Sequence, residues 1–269
     1  MRVKTQEEQD YIIKGGKILG EILEEISLMA KPGVSTFDID KKAEELIIKA
    51  GGRPAFKNYN PGGHRPFPGT ICASLNTEVV HGIPKKKKIL QDGDIFGIDI
   101  GMQWPVDCGK GENGNGFYTD TAVTLPIGEV NEEVKQLLSV TKKALELSLK
   151  QVKPGNTIAD VGRVVEDYVE PQGYGIVEDL VGHGVGHSVH EDPAVPNYYD
   201  ERNEDLIIPE GAVLALEPMI TMGSHEVMTA ADGWGIVSVD GKLNAHFEHT
   251  VIATKTGPVV VTRRPNEKY

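Results

Sequence analysis

The sequence predicts an α+β fold built twice over, with helix, helix and strands occurring in the same order in each half. Three observations carry this. An acid-Gly turn leading into an apolar strand, with a carboxylate six residues after the glycine, occurs at QDGDIFGID (Gln91 to Asp99) and again at PEGAVLALE (Pro209 to Glu217). KPGVSTFDIDKKAEELIIKAG (Lys31 to Gly51) aligns without a gap on KPGNTIADVGRVVEDYVEPQG (Lys153 to Gly173). A long helical stretch precedes each copy, roughly Gln6 to Met29 and roughly Asn131 to Val152. No short solenoid period is present, so this is one internal duplication, about 1–127 and 128–269, within a single domain.

Taken in order, the first helical stretch runs into a Lys-Pro-Gly turn, and Ser35 with Asp38 offers a capping box for the next helix. The strand ending at Asp99 is short and rich in Ile, which marks it as buried. QWPVDCGKGENGNGFYT is dense in Gly, Asn and Pro and reads as a hairpin connection, with Cys108 as an unpaired loop thiol. The returning strand, GFYTDTAVTL, carries Asp120, and an antiparallel return sets Asp120 beside Asp99. The second half repeats the plan with Thr157 and Asp160 as the box, the strand ending at Glu217, and Glu248 in AHFEHTVIAT.

The chain of 269 residues is 39% hydrophobic, enough apolar surface for a core of that size, and no linker separates its halves. It has no 18-residue apolar run, and its start, MRVKTQEEQDYIIK, lacks the apolar segment of a signal peptide. Two cysteines make no disulfide framework. The expectation is therefore a cytoplasmic, monomeric protein with no membrane partner. A net charge of −12 argues against DNA binding. The one basic run, Lys85 to Lys88, reads as a solvated loop or as a transient contact for an anionic partner such as ribosomal RNA.

Four carboxylates in apolar strands repel one another, and each costs several kcal/mol unless something positive meets it. Two divalent cations would neutralise them, and an oxygen-rich set with one imidazole suits Mn, Fe(II), Co or Zn. The imidazole candidates lie in VGHGVGHSVHEDP, with His183, His187 and His190 among glycines that allow close approach. HGVGH has the spacing of a zincin helix but lacks its glutamate, and its glycines oppose a helix; neither phosphate-loop motif is present. SLNTEVVHGIP places His81 in the first half where His190 stands in the second. One histidine from each half would flank the metals, a placement suited to substrate binding and proton transfer.

SLNTEVVHGIP, GIDIG, YTDTA, GHGVGHSVHEDP, LEPM, DGW and FEHTV, in that order along the whole chain, resemble the type I methionine aminopeptidases. The resemblance implies the pita-bread fold, a curved antiparallel sheet with pseudo-two-fold symmetry covered by two pairs of helices. It implies five ligands for two divalent ions (Co, Mn, Fe(II), Zn or Ni): Asp99, Asp120, His183, Glu217 and Glu248, with Asp120 and Glu248 bridging. It assigns His81 and His190 to the substrate, Glu217 to proton transfer beside the metal-activated water, and Phe67, Cys72, Met219 and Trp234 to a pocket for methionine. The activity implied is removal of N-terminal methionine from nascent chains and peptides when the second residue is small and uncharged. Three features depart from the family pattern: a longer loop after Asp99, the segment NYNPGGHRPFP before Cys72, and Val189 where an aromatic is common. His187 resembles a position in the X-Pro aminopeptidases, and the expectation is that it supports the site from outside or faces solvent.

Overall fold

The computed structural model describes residues 1–62, 65–111 and 114–267. Four long helices form over the stretches that the sequence predicts. Thr5 opens α1 (Gln6–Ser27) with a complete capping box to Glu8, and Thr157 opens α4 (Ile158–Val169) in the same way with Asp160. Asn131 caps α3 (Glu132–Leu149) through its side chain. At α2 (Thr36–Lys49) the box is half-built: Ser35 accepts from the Asp38 amide, while the Asp38 carboxylate takes the Ser35 hydroxyl at 2.6 Å and not its backbone N–H.

The strands, in chain order, are β1 (Arg53–Pro54), β2 (Ile71–Leu75), β3 (Glu78–Val80), β4 (Ile95–Trp104), β5 (Phe117–Pro126), β6 (Gly175–Ile176), β7 (Gly182–Gly184), β8 (Glu191–Val195), β9 (Val213–Leu216), β10 (Met219–Thr221), β11 (Val227–Thr229), β12 (Ile236–Ser238), β13 (Asn244–His246), β14 (Glu248–Thr254) and β15 (Gly257–Val260). Nine join one antiparallel sheet in the order β1-β4-β5-β14-β9-β7-β8, with β2 added to β4 and β15 to β14. The two halves meet where β5 pairs with β14. Two three-stranded sheets, β13-β10-β6 and β11-β12-β3, complete the fold.

The expected curved sheet under two helix pairs is what the chain forms. Leu19, Leu23 and Ile26 of α1, Ile39 and Ile47 of α2, Leu137 and Leu145 of α3, and Val161 and Val165 of α4 enter one continuous core with β4, β5, β9 and β14. Glycines inside α1 cost helix propensity, on the order of 1 kcal/mol each relative to alanine. Packing explains two of them. A Cβ on Gly16 would lie 2.7 Å from Val261 O, and one on Gly20 2.5 Å from Arg263 O, so the helix accepts the strand beyond β15 at backbone contact.

The sheet register decides which residues share a face. Asp99 and Glu248 both stand opposite Ala122, from its two sides, and Asp120 lies two residues from Ala122. His183 stands opposite Ala215, two residues before Glu217, and Ala215 also faces Thr250, two residues after Glu248. Cross-strand partners point the same way, as do residues two apart. All five candidate ligands therefore occupy one face. His249, next to Glu248, falls on the other face, 1% exposed, with Nε2 3.2 Å from Glu267. That pairing accounts for the histidine of FEHTV without a place for it at the metals.

Candidate metal centre and active site

The five residues converge. One ligand atom each from Asp120, His183 and Glu248 lie within 4.8 Å of one another. His183 Nε2 is 3.4 Å from Asp120 Oδ2 and 3.5 Å from Glu217 Oε1. Its Nδ1 sits 2.9 Å from Gly184 O and donates there, which leaves Nε2 as a lone pair aimed at the acids, the tautomer a metal ligand needs. Asp120 and Glu248 are 3% and 2% exposed, and all five residues border one cavity. Thr250 Oγ1 lies 3.1 Å from Asp120 Oδ1 and fixes that carboxylate from behind.

No side-chain cation reaches this cluster among the described residues. Burial raises the Asp99 carboxyl to about 7, with Glu217 and Asp120 adding to the effect. Burial likewise raises Glu217 to about 8, with Asp120 contributing. Glu248 is pushed well above the carboxylate range by burial and then by Asp120, Glu217 and Asp99, and burial raises Asp120 as well. Asp99 Oδ1 is buried with no hydrogen-bond partner among the described residues. An orphaned oxygen, acids that hold protons near neutrality and an imidazole lone pair fit divalent cations, which would take the place of those protons.

A cavity of about 300 Å³ opens beside the acids. Phe67, Cys72, Met219 and Trp234 line it, as do Phe56, Tyr59 and Val80. Phe67 and Trp234 meet edge to face with centroids 5.2 Å apart, and Trp234 Nε1 donates to Arg65 O at 2.9 Å. Phe67 and Met219 are nearly inaccessible at 2% and 1% yet form part of the wall, so core packing and pocket lining coincide in them. Val189 joins the cluster of Phe56, Phe67 and Cys72. Cys72 stands opposite Asp99 in the register, which puts the thiol at the floor where pocket and acids meet.

His81 and His190 flank the cavity from the two halves. His81 adopts a left-handed backbone, φ 57°, at the His-Gly turn, and burial lowers its imidazole to about 4. His190 is also lowered, by burial and then by His183 and His81. Its Nδ1 lies 2.8 Å from the Tyr59 hydroxyl, and its ring meets His183 with centroids 4.5 Å apart.

Two of these neighbours are absent from the expected set. Tyr59 sits on the divergent segment before Cys72, where no motif locates it; His64 of the same segment lies outside the described residues. His246 is buried, with Nε2 3.4 Å from Glu217 Oε2 and no hydrogen-bond partner for that atom among the described residues. Its position two residues before Glu248 was the available signal, since that spacing puts both on one face of an extended chain. Of the two places expected for His187, the structure excludes the solvent-facing one: it is 5% exposed, its Nε2 meets Glu8 Oε1 at 2.8 Å, and its ring packs on Phe117.

Comparison with known proteins agrees with this architecture. Residues 10–255 match the model of metallopeptidase family M24. The methionine aminopeptidase 1 of Bacillus subtilis is 42% identical over 260 residues, covering 97% of this chain and 98% of the relative. The crystal structure of methionine aminopeptidase from Thermotoga maritima superimposes with a TM-score of 0.89 at 37% identity, covering 98% of this chain and all of that one. The prolidase of Pyrococcus horikoshii shares the fold, with a TM-score of 0.75 at 22% identity, but this chain covers only 64% of it. The chain belongs to metallopeptidase family M24, the pita-bread enzymes, and within it to the methionine aminopeptidases.

Proposed function

We propose that this enzyme removes the initiator methionine from nascent polypeptides and peptides whose second residue is small and uncharged. The observation that carries this is the meeting, on one sheet face, of five side chains of metal-ligand type and a largely apolar cavity flanked by two histidines. Asp99, Asp120, His183, Glu217 and Glu248 would hold two divalent ions, with Asp120 and Glu248 shared between them. When bound, the ions would supply Lewis-acid polarisation of the scissile carbonyl and a water of lowered pKa.

The chain's own groups do the rest. With the Tyr59 hydroxyl, 2.8 Å from His190 Nδ1, acting as donor, the imidazole proton would stand on Nε2, free to donate to the carbonyl oxygen as it gains charge. His81, neutral because burial holds it at about 4, orients the substrate amide by hydrogen bonding and is a poor proton source near neutral pH. Glu217, raised to about 8 in the metal-free protein, would give up that proton as the cations bind and could then accept one from the water. The thioether of methionine meets Cys72, Met219 and the rings of Phe67 and Trp234, soft and aromatic contacts that suit sulfur. A charged side chain entering that cavity would lose its hydration with no partner to replace it.

The substrate would be met in the cytoplasm by a monomer. Of the basic run, Lys85 pairs with Asp232, Lys88 with Glu78 and Lys86 lies over the Phe37 ring, so Lys87 would lead any transient contact with ribosomal RNA. The test is protein reconstituted with Mn(II), Co(II) or Fe(II) and offered Met-Ala-Ser, Met-Lys-Ser and Ala-Pro-Ser peptides. Cleavage of the first alone is expected. Discrimination against a changed apolar group is worth only about 1–3 kcal/mol, so a leucine peptide should leak through slowly. Faster cleavage after Ala of the Ala-Pro peptide would reject this reading in favour of X-Pro cleavage.

A further inference from the structure

Lys4 is a lysine whose side chain is 1% exposed, far outside the ordinary range for its type. Its Nζ lies 2.7 Å from Glu191 Oε2 and 3.1 Å from Arg2 O. The backbone delivers it inward: Lys4 N donates to Gly211 O at 2.9 Å, and Lys4 O accepts from Gln9 Nε2 at 2.8 Å. The partner carboxylate is the organising group of the loop between β7 and β8. Glu191 Oε1 accepts from the amides of His187 and of Ser188, the latter at 3.0 Å. Burial disfavours both charges, yet Lys4 and those two amides hold the Glu191 carboxyl below its usual value.

The contact is steric as well as ionic. Gly186 has φ 133°, and a Cβ there would lie 2.6 Å from Lys4 Cε, so the lysine stem fills the space that a side chain at 186 would occupy. A second tie from the same segment, Glu8 Oε1 to His187 Nε2, grips the loop one residue further on. The loop carries one glycine, Gly186, has no regular secondary structure of its own, and ends at His190, the residue that borders the cavity. Left to its own backbone preferences, such a segment would sample many conformations.

We propose that Lys4 is a positioning residue for the reaction: its buried pair with Glu191 locks residues 185–190 in the conformation that presents His190 to the substrate. This rests on the assignment of His190 to the substrate made above. It goes beyond that reading because the N-terminal segment, remote from the metal ligands in sequence, becomes part of the apparatus. A charge pair of this kind costs desolvation, and a well-packed apolar pair of the same volume would be at least as stabilising. What it adds is direction, since the ammonium, the carboxylate and two amides satisfy one another in only one loop geometry.

The test is Lys4→Met, which keeps the length of the stem and removes the charge. Misplacement of a reacting group by about 1 Å costs on the order of 10²-fold, so kcat/KM on Met-Ala-Ser should fall about 10–100-fold. Mn(II) affinity by calorimetry should hold, because His183 precedes the loop and the other ligands lie on other strands. Hydrogen exchange at the amides of His187 and Ser188 should quicken, a readout that needs no substrate and so stands apart from the proposed activity. The second variant, Lys4→Met with Glu191→Gln, removes the unpaired buried charge but keeps a carbonyl for the two amides. It should fold, regain much of their protection and recover part of the lost turnover. The proposal is overturned if Lys4→Met leaves turnover and amide protection as in the wild type. It is equally overturned if turnover falls only in step with metal affinity, or if the double variant folds and is no more active than Lys4→Met.

Discussion

At the scale of single residues, the site separates groups that hold charge from groups that handle substrate. Asp120 is 3% exposed, with Thr250 Oγ1 3.1 Å from one carboxylate oxygen and His183 Nε2 3.4 Å from the other, and is proposed to serve both cations. Asp120→Ala should therefore lose binding at both positions and cost more than the roughly 10–100-fold typical of an outer-shell partner. The same change removes one of four repelling buried acids, so the chelator-treated variant should melt no lower than the chelator-treated parent. Metal stoichiometry and thermal melts check the two halves; two tightly held ions in the variant would remove Asp120 from the centre. His81→Ala and His190→Ala should retain metal and lose about 10²–10⁴-fold in turnover, the usual range for a group of this type. Calorimetry beside kinetics decides it, since a lost ion in either variant would move that histidine to the ligand set.

At the scale of elements, the β4–β5 hairpin carries two of the acids on a continuous ladder from Ile95↔Pro126 to Trp104↔Phe117. The described residues between Pro105 and Gly116 lie beyond the last pair, which stands five residues past Asp99 and three before Asp120. The tip makes its own contacts, Lys110 with Glu7 at 2.6 Å and Cys108 Sγ near Lys110 N at 3.4 Å, and none with the candidate ligands among the described residues. Shortening it between Pro105 and Gly114 should leave folding, metal binding and the methionine reaction largely intact. Loss of metal from a folded deletion variant would show that the tip reaches the site.

For the whole molecule, the buried acids link metal, protons and stability. Asp99 and Glu217 titrate at about 7 and about 8 in the folded protein, above their ordinary values of 3.8 and 4.5. A raised carboxylate keeps a proton that the unfolded chain has already released, so the metal-free protein loses stability as pH rises from about 4 through about 8. Cations in place of those protons remove that slope. The rise in melting temperature on adding Mn(II) should therefore be larger at pH 8 than at pH 6, and binding near pH 7 should release protons into the buffer. A metal-induced increment independent of pH would contradict the proton-holding state of the acids.

Much of this was legible in the sequence because it follows from local rules. Capping residues place the starts of α2 and α4, apolar runs of strand length place β4 and β9, and a Gly- and Asn-rich stretch marks the hairpin that folds Asp120 back near Asp99. The duplication then predicts that Glu217 and Glu248 mirror them. Tertiary structure alone decided that all five ligands share a face, because face depends on register, and a slip of one residue would turn every side chain over. It also decided the fates of three histidines with similar local surroundings. His187 is buried against Glu8, His249 against Glu267 on the far face, and His246 against Glu217, although none of those partners is near in sequence to its histidine except by way of the fold. Lys4 and Tyr59 belong to the same class. Periodicity and spacing describe neighbours along the chain, whereas a buried charge or a tautomer is set by whatever the folded chain brings within about 3 Å of it.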